Sequence, residues 1–390
     1  MEPLGHVAVI GTGAMGAGIA QVAATAGHVV HLVDAVDGAA GRARDGIAAR
    51  LDARVSRGRM TAADAAATVA RLEVADGIGD LPACLLVVEA VREDLEVKRA
   101  IFAELAARQP VTAVLASNTS SIDIDAIAEA VPEPGRGRVI GLHFFNPAPA
   151  MALVEVVAGR GSAEPALDVG AELVRAWGKT PVRCASTPGF VVNRVARPFY
   201  GEAQRLLGDE VADAATIDAA LRGAGFRLGP LELTDLIGQD VNLAVGTSVW
   251  EQTGRDPRYA PTALQQQLVA DGRLGRKSGH GIYAYAADGN LLTTGPDEQL
   301  LADLVGGPVT TDPVARTLAM LVNEAVDLVH RGEASSDDVD LAMRLGAGYP
   351  RGILEWGREI GFDVVEAQLR ELAAAFPGGR YRPSPGLTTA

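Results

Sequence analysis

The sequence predicts an α/β fold: a doubly wound parallel sheet with a helical hairpin insertion, followed by two repeated all-α domains. Three observations predict it. A glycine-rich turn joins an apolar strand to an Ala-rich helix near the N-terminus, apolar strands and helices alternate as far as Pro188, and one pattern of helices occurs twice after Pro188. With 390 residues, 48% of them hydrophobic, the chain is long enough for two or three domains.

The first element is the strand HVAVIG, which starts at His6 and leads into a G-x-G-x-x-G turn at Gly11, Gly13 and Gly16. Glycine is needed at each of the three positions for a different physical reason. The first allows a tight turn, the second lets the backbone approach a pyrophosphate, and the third lets the helix pack closely on the strand. Ala14 and Met15 lie where the helix opens, so their N–H groups are expected to face the phosphates.

A second strand, VVHLVD, ends at Asp34. A carboxylate at this point of a Rossmann-like fold accepts hydrogen bonds from the adenosine ribose and repels a 2′-phosphate, so the pattern predicts NAD rather than NADP. The alternative is a glycine-rich helix start in another α/β fold, which the strand, turn, helix and second strand in this order disfavour.

Polar side chains follow the next two predicted strands, residues 85–91 and 113–119. Ligands of such a sheet bind beyond the carboxyl ends of its strands. The positions expected beside the cofactor there are Ala90, Glu93, Lys98, Asn118 and Ser120. A surface ion pair of Glu93 with Lys98 and a helix cap at Ser120 stay open as alternatives.

Residues 37–72 are rich in Ala, Arg and Asp at helical spacing, and the segment is long enough for two helices. We expect a helical hairpin that projects from the sheet. It could grip a long ligand or be a solvated helix pair, and composition does not separate the two.

The stretch GLHFFNPAPAMALVEVV, residues 141–157, resembles two buried strands around a proline turn, yet it carries His143 and Glu155. A lone histidine in an apolar strand is usually satisfied by a backbone carbonyl. Two ionisable groups buried together are costly unless they pair or serve a function. Because the turn NPAPA can fold the strands side by side, we expect His143 and Glu155 to act as one acid–base unit.

Beyond Pro188 the helical pattern repeats with a nearly constant offset. Glu324 follows Glu202 by 122 residues, and Asp340 follows Asp218 by the same number. The predicted organisation is a nucleotide-binding domain at 1–186, a first all-α domain at 187–286, a linker with a little helix at 287–312, and a second, degenerate all-α copy at 313–390.

Nine motifs in order resemble the L-3-hydroxyacyl-CoA dehydrogenases, particularly the bacterial 3-hydroxybutyryl-CoA type, over residues 7–285. They are GTGAMGAGIA, Asp34, VVEAVREDLEVK, SNTSSI, GLHFFNP, LVEVV, TPGFVVNR, GPLELTDLIG and GRKSGHGIYAY. The resemblance implies oxidation of the 3-hydroxyl of an acyl-CoA by NAD+, or the reverse reduction.

The resemblance implies that His143 is the catalytic histidine and Glu155 its paired carboxylate. It implies that Ser120 and Asn193 contact the reacting part of the substrate. The second copy has no asparagine matching Asn193, so we expect packing rather than chemistry from it. Since single-copy members of the family dimerise through the α-domain, the second copy could take a partner's place within one chain.

The same resemblance implies cofactor contacts for Asn146, Glu93 and Lys98, with Lys98 also serving the acyl-CoA. A monomer or a homodimer remains possible. The alternatives kept open are a non-CoA hydroxy acid and a hydroxyacyl group on an acyl carrier protein. An NAD-binding protein without turnover is disfavoured, because such a protein has no physical reason to keep a buried acid–base pair.

Composition excludes other classes of partner. A net charge of -14 disfavours nucleic acid, and the chain has no apolar run long enough to span a membrane and no basic leader. Cys84 and Cys184 lack metal or redox spacing, which predicts reduced thiols in the cytoplasm. No His, Cys or acidic cluster has ligand spacing, so no catalytic metal is expected.

Overall fold

In a computed structural model, which describes residues 5–292 and 295–388, the chain divides into two compact units between Phe190 and Val191. The predicted first domain ended at residue 186. The first unit is built on a single large sheet of eight strands within the described residues. Its strands are β1 His6–Ile10, β2 Val29–Val33, β3 Leu72–Val74, β4 Leu86–Glu89, β5 Val114–Ser117, β6 Val139–Phe144, β7 Leu153–Ala158 and β8 Thr180–Ala185.

The strand order is β3-β2-β1-β4-β5-β6-β7-β8, which is the order of a doubly wound sheet around β1 and β4. Helices connect the strands. They are α1 Ala14–Thr25, α2 Ala39–Ser56, α3 Ala62–Ala70, α4 Leu95–Arg108, α5 Ile124–Ala128 and α6 Glu164–Ala176. Apolar residues of α1, α2, α3 and α6 and of the strands form a core of the unit.

The sequence pattern predicted a parallel sheet for this half of the chain. The observed sheet is instead mixed. β7 pairs antiparallel with β6, and β8 runs parallel to β7. The reason is the short connection, because residues 145–152 are too few for the crossover that a parallel pair needs.

The predicted helical hairpin is present as α2 and α3. Ile47 and Leu51 of α2 are buried in the core of the unit, while most other residues of the hairpin are exposed. The hairpin is therefore anchored by one apolar stripe and leaves a long polar surface in solvent.

The second unit is almost entirely helical. Its helices are α7 Val192–Val195, α8 Arg197–Gly208, α9 Ala214–Gly223, α10 Pro230–Ile237, α11 Gln239–Gln252, α12 Ala263–Ala270, α13 Glu298–Leu304, α14 Pro313–His330, α15 Ser336–Gly346, α16 Ile353–Ile360 and α17 Phe362–Ala375. Two short strands, β9 Ala284–Tyr285 and β10 Leu291–Leu292, form an antiparallel pair that the all-α prediction did not include. Helix α13 lies within the predicted linker and packs on the first copy through Leu304.

The two copies share a carboxylate that caps a helix, which is fully buried at Asp218 and half-buried at Asp340. Asp218 accepts hydrogen bonds from the backbone N–H groups of Leu231 and Glu232, at 2.9 and 2.8 Å. Asp340 accepts the same two bonds from Leu354 and Glu355, at 2.7 and 3.1 Å. Because both aspartates satisfy the free N–H groups at a helix start, the repeat is one of structure as well as sequence.

A buried ionic network joins the two copies. In the first copy, Glu202 on α8 accepts hydrogen bonds from Arg316 on α14 at 2.9 Å, and from Arg380 and Tyr381 near the C-terminus at 2.5 and 2.8 Å. Glu202 is fully buried. An unpaired carboxylate would be costly at this depth, so these contacts fix how α8 and α14 pack.

No helix in the described ranges is both long and apolar enough to cross a bilayer.

Candidate active site

The glycine turn between β1 and α1 fits a pyrophosphate. Gly11 has φ 91°, which favours glycine, and a Cβ on Gly16 would lie 1.8 Å from the Gly11 carbonyl oxygen. A Cβ on Gly13 would meet nothing within 4 Å. The first and third glycines therefore serve the packing of the turn, while the second borders open space at the N-terminus of α1, where Ala14 and Met15 present their N–H groups.

Asp34 is held in place at the end of β2. Its Oδ2 accepts hydrogen bonds from the Thr12 backbone N–H and hydroxyl, both at 2.7 Å, and its Oδ1 accepts one from the Val36 N–H at 3.0 Å. Burial raises the pKa of this carboxyl, but the hydrogen bonds from Val36 and Thr12 outweigh burial and lower it overall. A fixed carboxylate beside the glycine turn is suited to a ribose diol and unfavourable for a 2′-phosphate.

Glu93 and Ser120 meet at the carboxyl ends of β4 and β5. Glu93 Oε1 accepts hydrogen bonds from the Thr119 hydroxyl at 2.6 Å and from the Ser120 N–H at 2.9 Å. Burial raises the pKa of Glu93, but the Lys98 ammonium and these hydrogen bonds hold it below its usual value. Glu93 therefore organises the serine-rich loop in its ionised form.

Lys98 lies deeper than its predicted role suggests. Its side chain is 1% exposed, and its ammonium is 2.7 Å from Glu89 Oε1 and 3.2 Å from Glu93 Oε2. Direct contact of Lys98 with cofactor or acyl-CoA stays a prediction. Its burial favours an indirect role, in which the ammonium positions Glu93.

Glu89 was not singled out from the sequence. It is fully buried at the end of β4 and accepts 2.7 Å hydrogen bonds from the Lys98 ammonium, the Ser117 hydroxyl and the Val91 N–H. The sequence feature that could have identified Glu89 is a lone carboxylate in an apolar strand. Glu155 was identified from the same feature.

Asn118 ties the neighbouring strands together. Its N–H donates to the Glu89 carbonyl at 2.7 Å, and its side-chain oxygen accepts from the Phe144 N–H at 2.9 Å. Ala90 lies equally close to the glycine turn, since a Cβ on Gly11 would be 2.7 Å from its carbonyl oxygen. The structure thus brings these two predicted positions to the same edge of the sheet as the glycine turn and His143.

His143 and Glu155 touch. They are register partners on the antiparallel strands β6 and β7, so their side chains project from the same face of the sheet. His143 Nδ1 lies 2.6 Å from Glu155 Oε2, and Glu155 is fully buried. Because a carboxylate only accepts, Nδ1 carries the proton, which leaves Nε2 as the basic nitrogen; no residue in the described ranges bonds to it.

Two aromatic rings surround the imidazole. The Phe145 ring centroid is 4.6 Å and the Phe190 centroid 5.6 Å from that of His143. Phe190 has φ 48°, in the left-handed region, directly after Gly189 with φ 79°. The rings leave His143 6% exposed, so an imidazolium formed there would depend on Glu155 rather than on water. Asn146, in the turn after Phe145, is exposed.

Asn193 lies in the second unit, on α7. Its backbone carbonyl accepts a hydrogen bond from Arg197 at 2.8 Å. Its side-chain amide has no partner among residues 5–292 and 295–388, so it is available to a ligand.

Two family models match the chain. The model described as 3-hydroxyacyl-CoA dehydrogenase, NAD binding domain, matches residues 6–187. The model described as 3-hydroxyacyl-CoA dehydrogenase, C-terminal domain, matches residues 189–285 and again residues 313–390. The second match falls on the second copy of the repeat.

Relatives that are similar in sequence and in structure have names that agree with these two family models. The 3-hydroxyadipyl-CoA dehydrogenase of Escherichia coli is 44% identical, over 97% of this chain and 95% of its own length. The 3-hydroxybutyryl-CoA dehydrogenase of Clostridioides difficile is 38% identical, over 72% of this chain and 99% of its own. A crystal structure described as 3-hydroxybutyryl-CoA dehydrogenase from E. coli superposes with a TM-score of 0.89 at 42% identity, covering 98% of this chain and 97% of that one.

Proposed function

Because the chain belongs to the 3-hydroxyacyl-CoA dehydrogenase family, whose N-terminal domain binds NAD, we propose that it oxidises the 3-hydroxyl of a short-chain L-3-hydroxyacyl-CoA, or catalyses the reverse reduction. The observation that carries this proposal is the buried pair of His143 and Glu155. When bound, NAD+ would supply the acceptor for the hydride that leaves C3.

His143 acts as the general base. Its Nε2 takes the hydroxyl proton, and the imidazolium that results is stabilised by Glu155 through Nδ1. Glu155 also fixes the tautomer and the ring orientation, since its oxygen is aligned with Nδ1. In the reverse direction the same imidazolium returns the proton to the carbonyl oxygen.

The remaining predicted residues orient substrate and cofactor. Ser120 and Asn193 hold the substrate oxygen or the thioester carbonyl, which fixes C3 for reaction. Gly13 and the start of α1 would receive the pyrophosphate in the turn that Gly11 and Gly16 make possible, and Asp34 would receive the ribose. Asn118 and Asn146, with the Glu93 loop, border the nicotinamide half, and Lys98 supports that loop from beneath.

A basic cavity in the first unit favours CoA over a free hydroxy acid. Its volume is about 470 Å³, and it is lined by the 146–150 turn, by the start of α1, and by arginines of α2, namely Arg50, Arg54 and Arg57. In a chain of net charge -14, such a local group of arginines is the feature that phosphates of a CoA require. The helical hairpin thereby has a ligand role.

The names of the relatives indicate a range of lengths for the acyl chain. One acts on a six-carbon dicarboxylic acyl group and the other on a four-carbon group, so we propose acyl chains of this short range for this chain. We further propose that the second α-domain copy takes the place of a partner subunit, so that the chain acts as a monomer, or as a homodimer through other contacts.

The test is an assay of NADH formation with the purified chain. Saturable oxidation of L-3-hydroxybutyryl-CoA is expected, with little rate from the free hydroxy acid. The Arg54→Ala, Arg57→Ala double variant should raise KM for the acyl-CoA and weaken its dependence on salt, because the phosphates lose counter-charges. Equal rates with free acid and thioester would reject CoA as the carrier.

A further inference from the structure

Arg197 carries a positive charge that no carboxylate in the described part of the second unit pairs with. It is half-buried at the start of α8. Its Nε donates to the Asn193 carbonyl at 2.8 Å, its Nη1 donates to the Asn242 carbonyl at 3.3 Å, and its guanidinium lies 5.0 Å from the centroid of the Tyr200 ring. All three partners are neutral. No carboxylate in the described part of the second unit pairs with Arg197, and its Nη2 has no hydrogen-bond partner there.

Four other arginines of the second unit differ in this respect. Arg194 and Arg258 form ion pairs with the buried Glu324, and Arg316 and Arg380 form ion pairs with the buried Glu202. Burial lowers the pKa of Arg197, yet a guanidinium remains charged at neutral pH. A poorly hydrated cation without a counter-ion would be stabilised by an anionic group from a ligand.

The position of Arg197 gives the class of ligand. It lies four residues after Asn193, at the start of the next helix, and its Nε donates to the Asn193 carbonyl. Around the α10–α11 junction, Ile237 and Val241 are partly exposed apolar side chains, and Val241 directly precedes Asn242. An unpaired cation whose carbonyl partner, Asn242, directly follows the exposed Val241 suits a short methylene chain that ends in a carboxylate.

Resting on the proposed function, which assigns Asn193 to the reacting part of the substrate, we propose that Arg197 binds the terminal carboxylate of a dicarboxylic 3-hydroxyacyl-CoA. In a six-carbon dicarboxylic acyl group, three C–C bonds separate C3 from the terminal carboxyl carbon, a span of about 4 Å. Because Arg197 Nε lies 2.8 Å from the Asn193 carbonyl oxygen, an acyl group of that span held at Asn193 can reach the guanidinium with its terminal carboxylate. Arg197 is thus the residue that makes the enzyme prefer dicarboxylic over monocarboxylic acyl chains.

The first experiment needs no variant. The wild-type chain is assayed with the six-carbon dicarboxylic 3-hydroxyacyl-CoA and with the same thioester whose terminal carboxyl is a methyl ester. A charge-assisted hydrogen bond to a carboxylate predicts roughly ten- to hundredfold higher kcat/KM for the acid. Equal values for acid and ester would overturn the role of Arg197. Oxidation of neither thioester, with L-3-hydroxybutyryl-CoA still oxidised, would also overturn the role of Arg197, whereas oxidation of none of the three would overturn the proposed function itself.

The second experiment assigns the effect to Arg197. The readout is the ratio of kcat/KM for the dicarboxylic substrate to that for 3-hydroxybutyryl-CoA, because a merely structural defect lowers both rates together. R197M should reduce this ratio roughly ten- to hundredfold, and R197K should restore part of it. The matched control is R222M, which removes a surface arginine paired with Glu232 in the same unit and should leave the ratio unchanged. An unchanged ratio in R197M would contradict the inference.

Discussion

Arg194 and Arg316, 122 residues apart, each bind a buried glutamate of the opposite repeat. Arg194 lies 2.5 Å from Glu324, and Arg316 lies 2.9 Å from Glu202. The same offset relates Arg258 with Tyr259 to Arg380 with Tyr381, which complete the two sites. One chain therefore contains both halves of a reciprocal interface, the arrangement that two-fold symmetry gives between identical subunits.

This reciprocity predicts a large loss of stability on removing one carboxylate. Glu202→Gln should lower the free energy of unfolding by about 3 to 5 kcal/mol, because it leaves buried arginines without their counter-ion. Denaturant titration followed by circular dichroism measures the effect. Glu359→Gln is the control, since this exposed glutamate pairs with Arg351 at the surface and should cost at most about 1 kcal/mol. A similar small change in both variants would mean that the network does not hold the repeats together.

The stability should also fall in acid. Burial raises the pKa of Glu202, but Arg380 and Arg316 outweigh burial and lower it to about 2. A glutamate in the unfolded chain has a pKa of about 4.3, which is higher. The stabilisation of the folded state by ionised Glu202 is therefore complete above about pH 5 and is lost as the pH falls toward 2. Unfolding midpoints measured between pH 7 and pH 3 should therefore fall more steeply in the wild type than in Glu202→Gln. Parallel curves would contradict the lowered pKa.

Some of the site was predictable because the signal was local. His143 and Glu155 are separated by one short turn, and a turn of that length forces antiparallel neighbours, so contact followed from the spacing. Glu89 had the same signal, a carboxylate in an apolar strand, but its partner Lys98 lies beyond the strand on α4. Because several charged residues follow Glu89 in the sequence, the spacing alone did not show that Lys98 is its partner.

The repeat shows a second limit of prediction from the sequence. The constant offset matches Arg194 with Arg316, yet it does not say which glutamate each arginine binds. That choice depends on how α8 packs against α14, which is a property of tertiary structure. The burial of Lys98 escaped prediction for the same reason, because a lysine on a helix after a glutamate looks identical whether it faces solvent or the sheet.

Gly16→Ala and Gly13→Ala should separate folding from cofactor binding. A Cβ at residue 16 would lie 1.8 Å from the Gly11 carbonyl oxygen, so Gly16→Ala should destabilise the fold by about 1 to 3 kcal/mol or more. A Cβ at residue 13 meets nothing within 4 Å, so Gly13→Ala should fold normally and lose NAD affinity at least about tenfold by crowding the pyrophosphate. Thermal unfolding and NADH fluorescence titration measure the two effects. Normal NAD affinity in folded Gly13→Ala would place the pyrophosphate elsewhere.

Asp34 should determine the choice of cofactor. Asp34→Asn should weaken the ribose contact and relieve the repulsion of a 2′-phosphate, so the ratio of kcat/KM for NAD+ to that for NADP+ should fall roughly ten- to hundredfold. Asp37→Asn serves as control, because it removes an exposed carboxylate three residues further on and should leave the ratio unchanged. If both variants keep the wild-type ratio, Asp34 does not contact the ribose.

The central claim is that His143 is the base and Glu155 stabilises its charged form. The most direct measurement is kcat for 3-hydroxyacyl-CoA oxidation in His143→Gln and Glu155→Gln at saturating substrate, with NADH affinity measured on the same samples. His143→Gln should lower kcat about 10² to 10⁴-fold, and Glu155→Gln should lower it by a smaller factor, while both keep near-normal NADH affinity. His330→Gln, at an exposed histidine of α14, should keep the wild-type kcat. A folded His143→Gln with kcat within a few-fold of wild type would contradict the account.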